Sequence, residues 1–302
     1  MTRTALFSRH QPGGVFTISD LEDHPGDIFF VDSGHAAATD ATGAGRSPDT
    51  PFATLDYAIG QCAANNGDVI YVMPGHAETI SGAAGVDCDV AGITIIGLGK
   101  GAARPTFTLS AVASTFELGA ASVHIKNLLF KVTDDAAIVI DVNAADCLIE
   151  QCELRHGTSK EFVTGIDING GAANACDRTT VRNCVITSPI AGSDRGIELG
   201  EVADRVVIEG CMILGDWGDA AIHNPTGKVL TKLTVQDCFL ENTQTGDHAI
   251  ELVSACTGQL IRNLYKSDLT QATASDPGSC FSYECYHDDV IDTSAILSPA
   301  VT

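Results

Sequence analysis

Between Phe116 and Cys285 one short pattern returns seven times: Phe116-Glu117-Leu118, Ile140-Asp141-Val142, Ile166-Asp167-Ile168, Ile197-Glu198-Leu199, Ile222-His223-Asn224, Ile250-Glu251-Leu252 and Tyr283-Glu284-Cys285. Successive starts lie 24, 26, 31, 25, 28 and 33 residues apart. Self-similarity at a period of this size marks a repeat architecture. Each repeat holds strands and turns and no helical 3.6-residue pattern, which predicts a solenoid of β-coils.

A second strand recurs in every repeat: His124-Ile125-Lys126-Asn127-Leu128, Leu148-Ile149-Glu150-Gln151-Cys152, Thr180-Val181-Arg182-Asn183-Cys184, Val207-Ile208-Glu209-Gly210-Cys211, Thr234-Val235-Gln236-Asp237-Cys238 and Leu260-Ile261-Arg262-Asn263-Leu264. Stacking them gives a β-branched column from Ile125 to Ile261 and a column of Leu or Cys from Leu128 to Leu264. Inward residues alternate with outward ones, as a strand with one buried face requires. The two inward columns are three residues apart, so the chain bends between them. The mostly amide column between them, Asn127, Gln151, Asn183, Gly210, Asp237 and Asn263, suits that bend, because Asn and Gly tolerate left-handed backbone angles. Stacked amides there are also expected to hydrogen-bond up the ladder.

Strand, bend, strand and loop in register resembles the right-handed parallel β-helix of the pectin-lyase-like superfamily, over roughly Asp68 to Cys285. The passage Pro51-Phe52-Ala53-Thr54-Leu55-Asp56, Gly67-Asp68-Val69-Ile70-Tyr71-Val72, Pro74-Gly75 and Ile93-Thr94-Ile95-Ile96-Gly97 looks like the opening of many such chains. With the leader before it, it also resembles β-helical proteins encoded by tailed bacteriophages. The resemblance implies an all-β, single-stranded right-handed parallel β-helix. It does not select a function, because this fold hosts lyases, hydrolases, tailspikes and inert structural proteins.

The 302 residues carry 17 Lys and Arg against 39 Asp and Glu, a net charge of -22. Such a chain does not bind DNA through its phosphates. No run approaches the ~18 apolar residues of a membrane span, and the first residues lack the apolar core of a signal peptide. The 11 cysteines form no zinc-type spacing. Four sit at inward ladder positions, where Cys acts as a small hydrophobe. These features lead us to expect reduced thiols, synthesis in a host cytoplasm, and no cofactor, metal, nucleic acid or membrane partner.

In chain order, four segments are expected: a docking arm over 1–31, a loop and capping helix over 32–67, the β-helix over 68–285 and a tail over 286–302. In the arm, Phe7, Phe16, Ile18 and Phe29 are the candidate contacts. Thr50 is read as a helix cap with Pro51 in the first turn. Phe52, Leu55, Ile59 and Cys62 then share one face, and Asn65-Asn66-Gly67 ends the helix. A solenoid needs such a cap over its open apolar end. The tail is expected to cover the far end or cross to a neighbouring subunit.

The outward position beside each repeat start reads Glu117, Asp141, Asp167, Glu198, His223, Glu251, Glu284, six acids of seven. The second strand's outward column (Lys126, Glu150, Arg182, Glu209, Gln236, Arg262) mostly alternates in sign. Like charges on adjacent strands repel, so the acidic column needs a reason. It is a solvated face, a contact for basic groups of a neighbour, or a catalytic row. In the catalytic case Asp167 and Glu198 are the pair, with His223 one coil on and Arg195 nearby. Carboxylates one coil apart approach the ~5 Å spacing of a retaining glycosidase, and stacking raises one pKa. Trp217, in Gly215-Asp216-Trp217-Gly218-Asp219, is either a sugar-stacking platform or a packing anchor. Aromatics are 6% of the chain, thin for a glycan groove, and the loops are short. The expectation is therefore a non-catalytic virion protein, a capsid decoration (cement) protein. It is expected to be a homotrimer docked on the major capsid protein or other virion proteins. The alternatives are a tailspike-like or free polysaccharide depolymerase and a carbohydrate-binding module.

Overall fold

The computed structural model describes residues 26–269 and 274–287, and the strand Ile296–Leu297 by its backbone. The chain is a single parallel β-helix of pectin-lyase-like fold. Its first ladder is a ten-stranded sheet running from Ile28–Val31 to Phe281–Tyr283. A sixteen-strand sheet supplies the other two sides. It divides into a second ladder, beginning at Ala77–Ile80 and Thr106–Leu109, and a third, beginning at Val86–Asp87 and Phe116–Leu118. The two share the long strands Val185–Glu198 and Met212–His223. One continuous apolar core runs up the middle, from Phe29 to Cys285.

The columns stand in the predicted register from Phe116 through Ile140, Ile166, Ile197 and Ile222 to Ile250. The bend also falls where expected. Asn127, Gln151, Asn183, Gly210 and Asp237 all hold φ between 54° and 61°. The bends are tied mainly by backbone: each bend N–H donates to the next coil, as from Asn127 to Glu150 and from Gln151 to Arg182. Asn127 uses its side chain to donate to the Gly97 and Gly99 carbonyls at 2.7 and 3.0 Å.

Two positions near the C-terminal end correct the sequence reading. Tyr283-Glu284-Cys285 is not the seventh member of the third ladder. Tyr283 pairs with Ile261 in the first ladder, Glu284 is a bend residue at φ 51°, and Ser275–Asp276 stacks on Ile250-Glu251 instead. In the preceding coil Leu260, not Ile261, stacks on Val235. Arg262 then takes the bend, and Asn263 falls buried at the cysteine position. Its amide makes up for this by accepting from Cys238 N–H at 3.0 Å and donating to Val235 C=O at 2.9 Å. All eleven cysteines are free thiols, ten of them buried.

The strand Ile28–Val31 pairs with Val69–Val72 and so belongs to the solenoid rather than to an arm. The helix is shorter than predicted, Leu55–Ile59, with Thr54 at its N-cap. Phe52 is drawn into the sheet beside Val31. The Asp40 carboxylate accepts from the Ala53 and Thr54 N–H groups, and Glu78 accepts from Leu55 N–H at 3.0 Å. Leu55, Ala58 and Ile59 still face the core. The buried Asp68 carboxylate stitches this end together, accepting from Asp27 N–H, Ala63 N–H and the Asn66 amide. At the far end Ile296–Leu297 pairs antiparallel with Cys285–Tyr286.

Candidate functional site

Register lines up Asp87, Glu117, Asp141, Asp167, Glu198, His223, Glu251 and Asp276 as one outward column on the third ladder. Neighbours are one strand spacing apart, ~4.8 Å. The sequence reading missed both end members. Val86-Asp87-Cys88 carried the same inward-acid-inward signal as Phe116-Glu117-Leu118. Ser275-Asp276 carried none, because its inward residue is polar.

The predicted pair is brought together. Asp167 and Glu198 are direct register partners, with His223 next and Arg195 on the same strand as Glu198. Asp167 is buried and its Oδ1 has no hydrogen-bond partner. That oxygen lies over Gly200, where a methyl group would come within 2.6 Å of it. Burial, followed by the Glu198 and Asp141 charges, pushes its pKa up to about 7, against the pull of Asn169 and Arg195. Asp87 repeats the arrangement over Gly119. It too has an unpartnered Oδ1, and burial, then Glu117, Asp89 and Asp56, raise it to about 6. Between them Asn143 bridges Glu117 and Asp141 at 2.8 and 3.1 Å. Burial still raises Asp141, with Asn143 opposing and Glu117 adding to the rise.

Arg195 is committed to its own surroundings, 3.1 Å from Glu198 Oε2 and 2.6 Å from Asp219 Oδ2. His223, Glu251 and Asp276 line an open groove of about 390 Å³ together with Asn224 and Ser254. Asp167 and Glu198 are not among its lining residues. Chemically, the column offers a carboxylic acid beside a carboxylate on an open sheet face. Among the described residues no group of three or more His, Cys, Asp and Glu side chains is placed to hold a metal ion.

Two candidate contacts are corrected. Trp217 is fully buried. Its indole N–H donates to Glu241 C=O at 2.9 Å, and its ring packs on Phe162, so it is a packing anchor and not a sugar platform. Phe29 is a core residue beside Phe52, and it has no exposed face to dock with. Phe7, Phe16 and Ile18 lie outside the described residues.

No family model matches this chain, and no curated protein does. Among solved structures it is similar to a rhamnogalacturonan lyase, with a TM-score of 0.50 and 14% sequence identity, covering 80% of this chain and 70% of that one. At that identity the likeness shows the fold alone.

Proposed function

We propose that the chain is a non-catalytic structural protein of a virus particle, a capsid decoration (cement) protein of a tailed phage. The observation that carries this reading is the last coil. Of the seven exposed large hydrophobic side chains among the described residues, Phe281, Tyr283 and Tyr286 lie on it and Leu264 stacks on Tyr286 from the coil before. Clustered exposed apolar groups mark contact surfaces. The described coils stack on one continuous apolar core as a rod, suited to standing on a surface. In this reading the partners are the major capsid protein or other virion proteins, the rod is a homotrimer, and it is loaded from the host cytoplasm. Quantitative mass spectrometry of purified particles tests it. We expect on the order of hundreds of copies per particle. A few tens or fewer would place the chain on the tail, and none would end the reading.

A second reading, a polysaccharide depolymerase, is favoured by one observation: Asp167 keeps its proton to about pH 7 beside Glu198, as a general acid must. The carbohydrate-binding module built on Trp217 is lost with the burial of that ring.

A further inference from the structure

The ten-stranded sheet has two end strands, and they are treated oppositely. At the first, Ile28–Val31, the outer edge is covered by the chain itself. Phe30 N–H donates to Gly45 C=O, Phe52 N–H donates to Phe30 C=O, and Asp32 N–H donates to Phe52 C=O, all within 2.9 Å. At the last, Phe281–Tyr283, nothing among the described residues pairs with the outer edge. Phe281 and Tyr283 flank it, 65% and 54% exposed. An open edge with apolar flanks is a template for another strand.

The surroundings of that edge select the occupant. Glu284 is exposed directly beside it. The nearby cations are already engaged, Arg262 by Asp237 and Lys266 by Glu241. The edge therefore favours an acid-free strand within a cationic segment. In a chain of net charge -22, residues 1–19 contain Arg3 and Arg9 and no Asp or Glu. Within them Val15-Phe16-Thr17-Ile18 is a run of four strong strand formers between Gly13-Gly14 and Ser19-Asp20.

Reach decides which copy supplies it. An added strand would stand ten steps beyond Ile28–Val31, or about 48 Å at ~4.8 Å per step. Ile18 is ten residues before Ile28 and spans at most about 36 Å when fully extended. A chain cannot lay this segment on its own far edge. We propose that the Phe281–Tyr283 edge takes Val15-Phe16-Thr17-Ile18 of a second copy as an added strand. This deepens the assembly reading and rests on it. The contact joins unlike surfaces, so it closes into a ring where the rotation allows, the three-fold ring of the homotrimer reading, and otherwise extends head to tail.

The test is sedimentation of the full chain over a range of concentrations. Wild type is compared with an arm variant, Phe16→Asp/Ile18→Asp, and an edge variant, Phe281→Lys/Tyr283→Lys. We expect wild type to associate and each variant to associate at least tenfold more weakly. A labelled peptide of residues 1–19, which carries Arg3 and Arg9 and no acid, should bind the arm variant, whose edge is intact, and bind the edge variant at least tenfold more weakly. Amide exchange at Ser282 should slow as wild type is concentrated. A wild type that stays monomeric at about 100 µM while the peptide fails to bind would overturn the proposal. So would an edge variant that associates as well as wild type. Protection of Ser282 that does not depend on concentration would assign the edge to the chain's own segment and equally overturn it. Many copies in particles without self-association would remove this contact and leave the assembly reading standing.

Discussion

The outward columns of the first and third ladders are built on the same strand spacing and solve the charge problem in opposite ways. On the first, Glu150 sits between its neighbours, 3.2 Å from Lys126, 3.3 Å from Arg182 and 3.2 Å from His124. Burial pushes Glu150 up, but the hydrogen bonds from Lys126 and Arg182 outweigh it and hold its pKa below the usual value. On the third, seven of eight positions are acidic, Arg195 is paired into the row at Glu198, and Asp87, Asp141 and Asp167 each keep a buried oxygen with no partner among the described residues. One column is neutralised by paired ions, and in the other burial raises Asp87, Asp141 and Asp167, so that these three bind protons more readily. Identical backbone ladders therefore give opposite responses to pH, and substitution can break the contrast at either side.

The largest effect is expected at Asp167. Its folded pKa is raised, so the folded state binds a proton that the unfolded state gives up. Its contribution to stability is intact below the unfolded value and is lost as pH rises through about 7. Asp167→Asn removes that loss. Thermal melts at pH 8 should show the variant more stable by up to about 4 kcal/mol, taking 1.36 kcal/mol per pH unit between 3.8 and about 7. The difference should vanish near pH 4. A variant no more stable than wild type at pH 8 would show that the column is not proton-laden.

Next is Arg195→Ala, which strips Glu198 and Asp219 of their shared cation. Removing charge-assisted bonds from partly buried acids costs about 2 kcal/mol, read as a lower melting temperature at pH 8. The smallest effect is Glu150→Gln on the neutralised column. Glu150 is buried but its cations are partly exposed, and such a network is worth about 1 kcal/mol. Because the pKa of Glu150 is lowered, the loss has the opposite sign from that at Asp167. Stability is present above the unfolded pKa and lost as pH falls through the folded one, so the variant and wild type should converge in acid rather than in base.

Most of the fold was legible because its signals are local and repeated. An inward Ile or Phe, an outward acid and a second inward residue recur with little variation from Phe116 to Leu252, and the left-handed bend announces itself in Asn127, Asn183 and Gly210. Reading failed where the same geometry was made from unlike residues. Arg262 and Glu284 occupy the bend with no help from their side-chain type, which displaced the last two coils by one position or one face. Ser275 is a polar inward residue, which hid Asp276. Trp217 looked exposed because glycines and acids surround it. Its true partners, Phe162 and Glu241, come from the coils below and above, and no sequence window spans them. The Asp167–Glu198 pair was readable as an adjacency. The unpartnered oxygen over Gly200 was not, because it depends on which way one carboxylate turns.

We propose that the acidic column, with Asp87, Asp141 and Asp167 raised by burial, is a structural row rather than a catalytic one. A panel of acidic and neutral polysaccharides, incubated with the protein between about pH 5 and pH 8, tests it most directly. Reducing ends and unsaturated uronate products are the readouts, and Asp167→Asn and Glu198→Gln serve as controls. The account predicts that wild type releases no more product than either control on any polymer. Cleavage by wild type that disappears in both folded variants would contradict it and make Asp167 and Glu198 the catalytic pair.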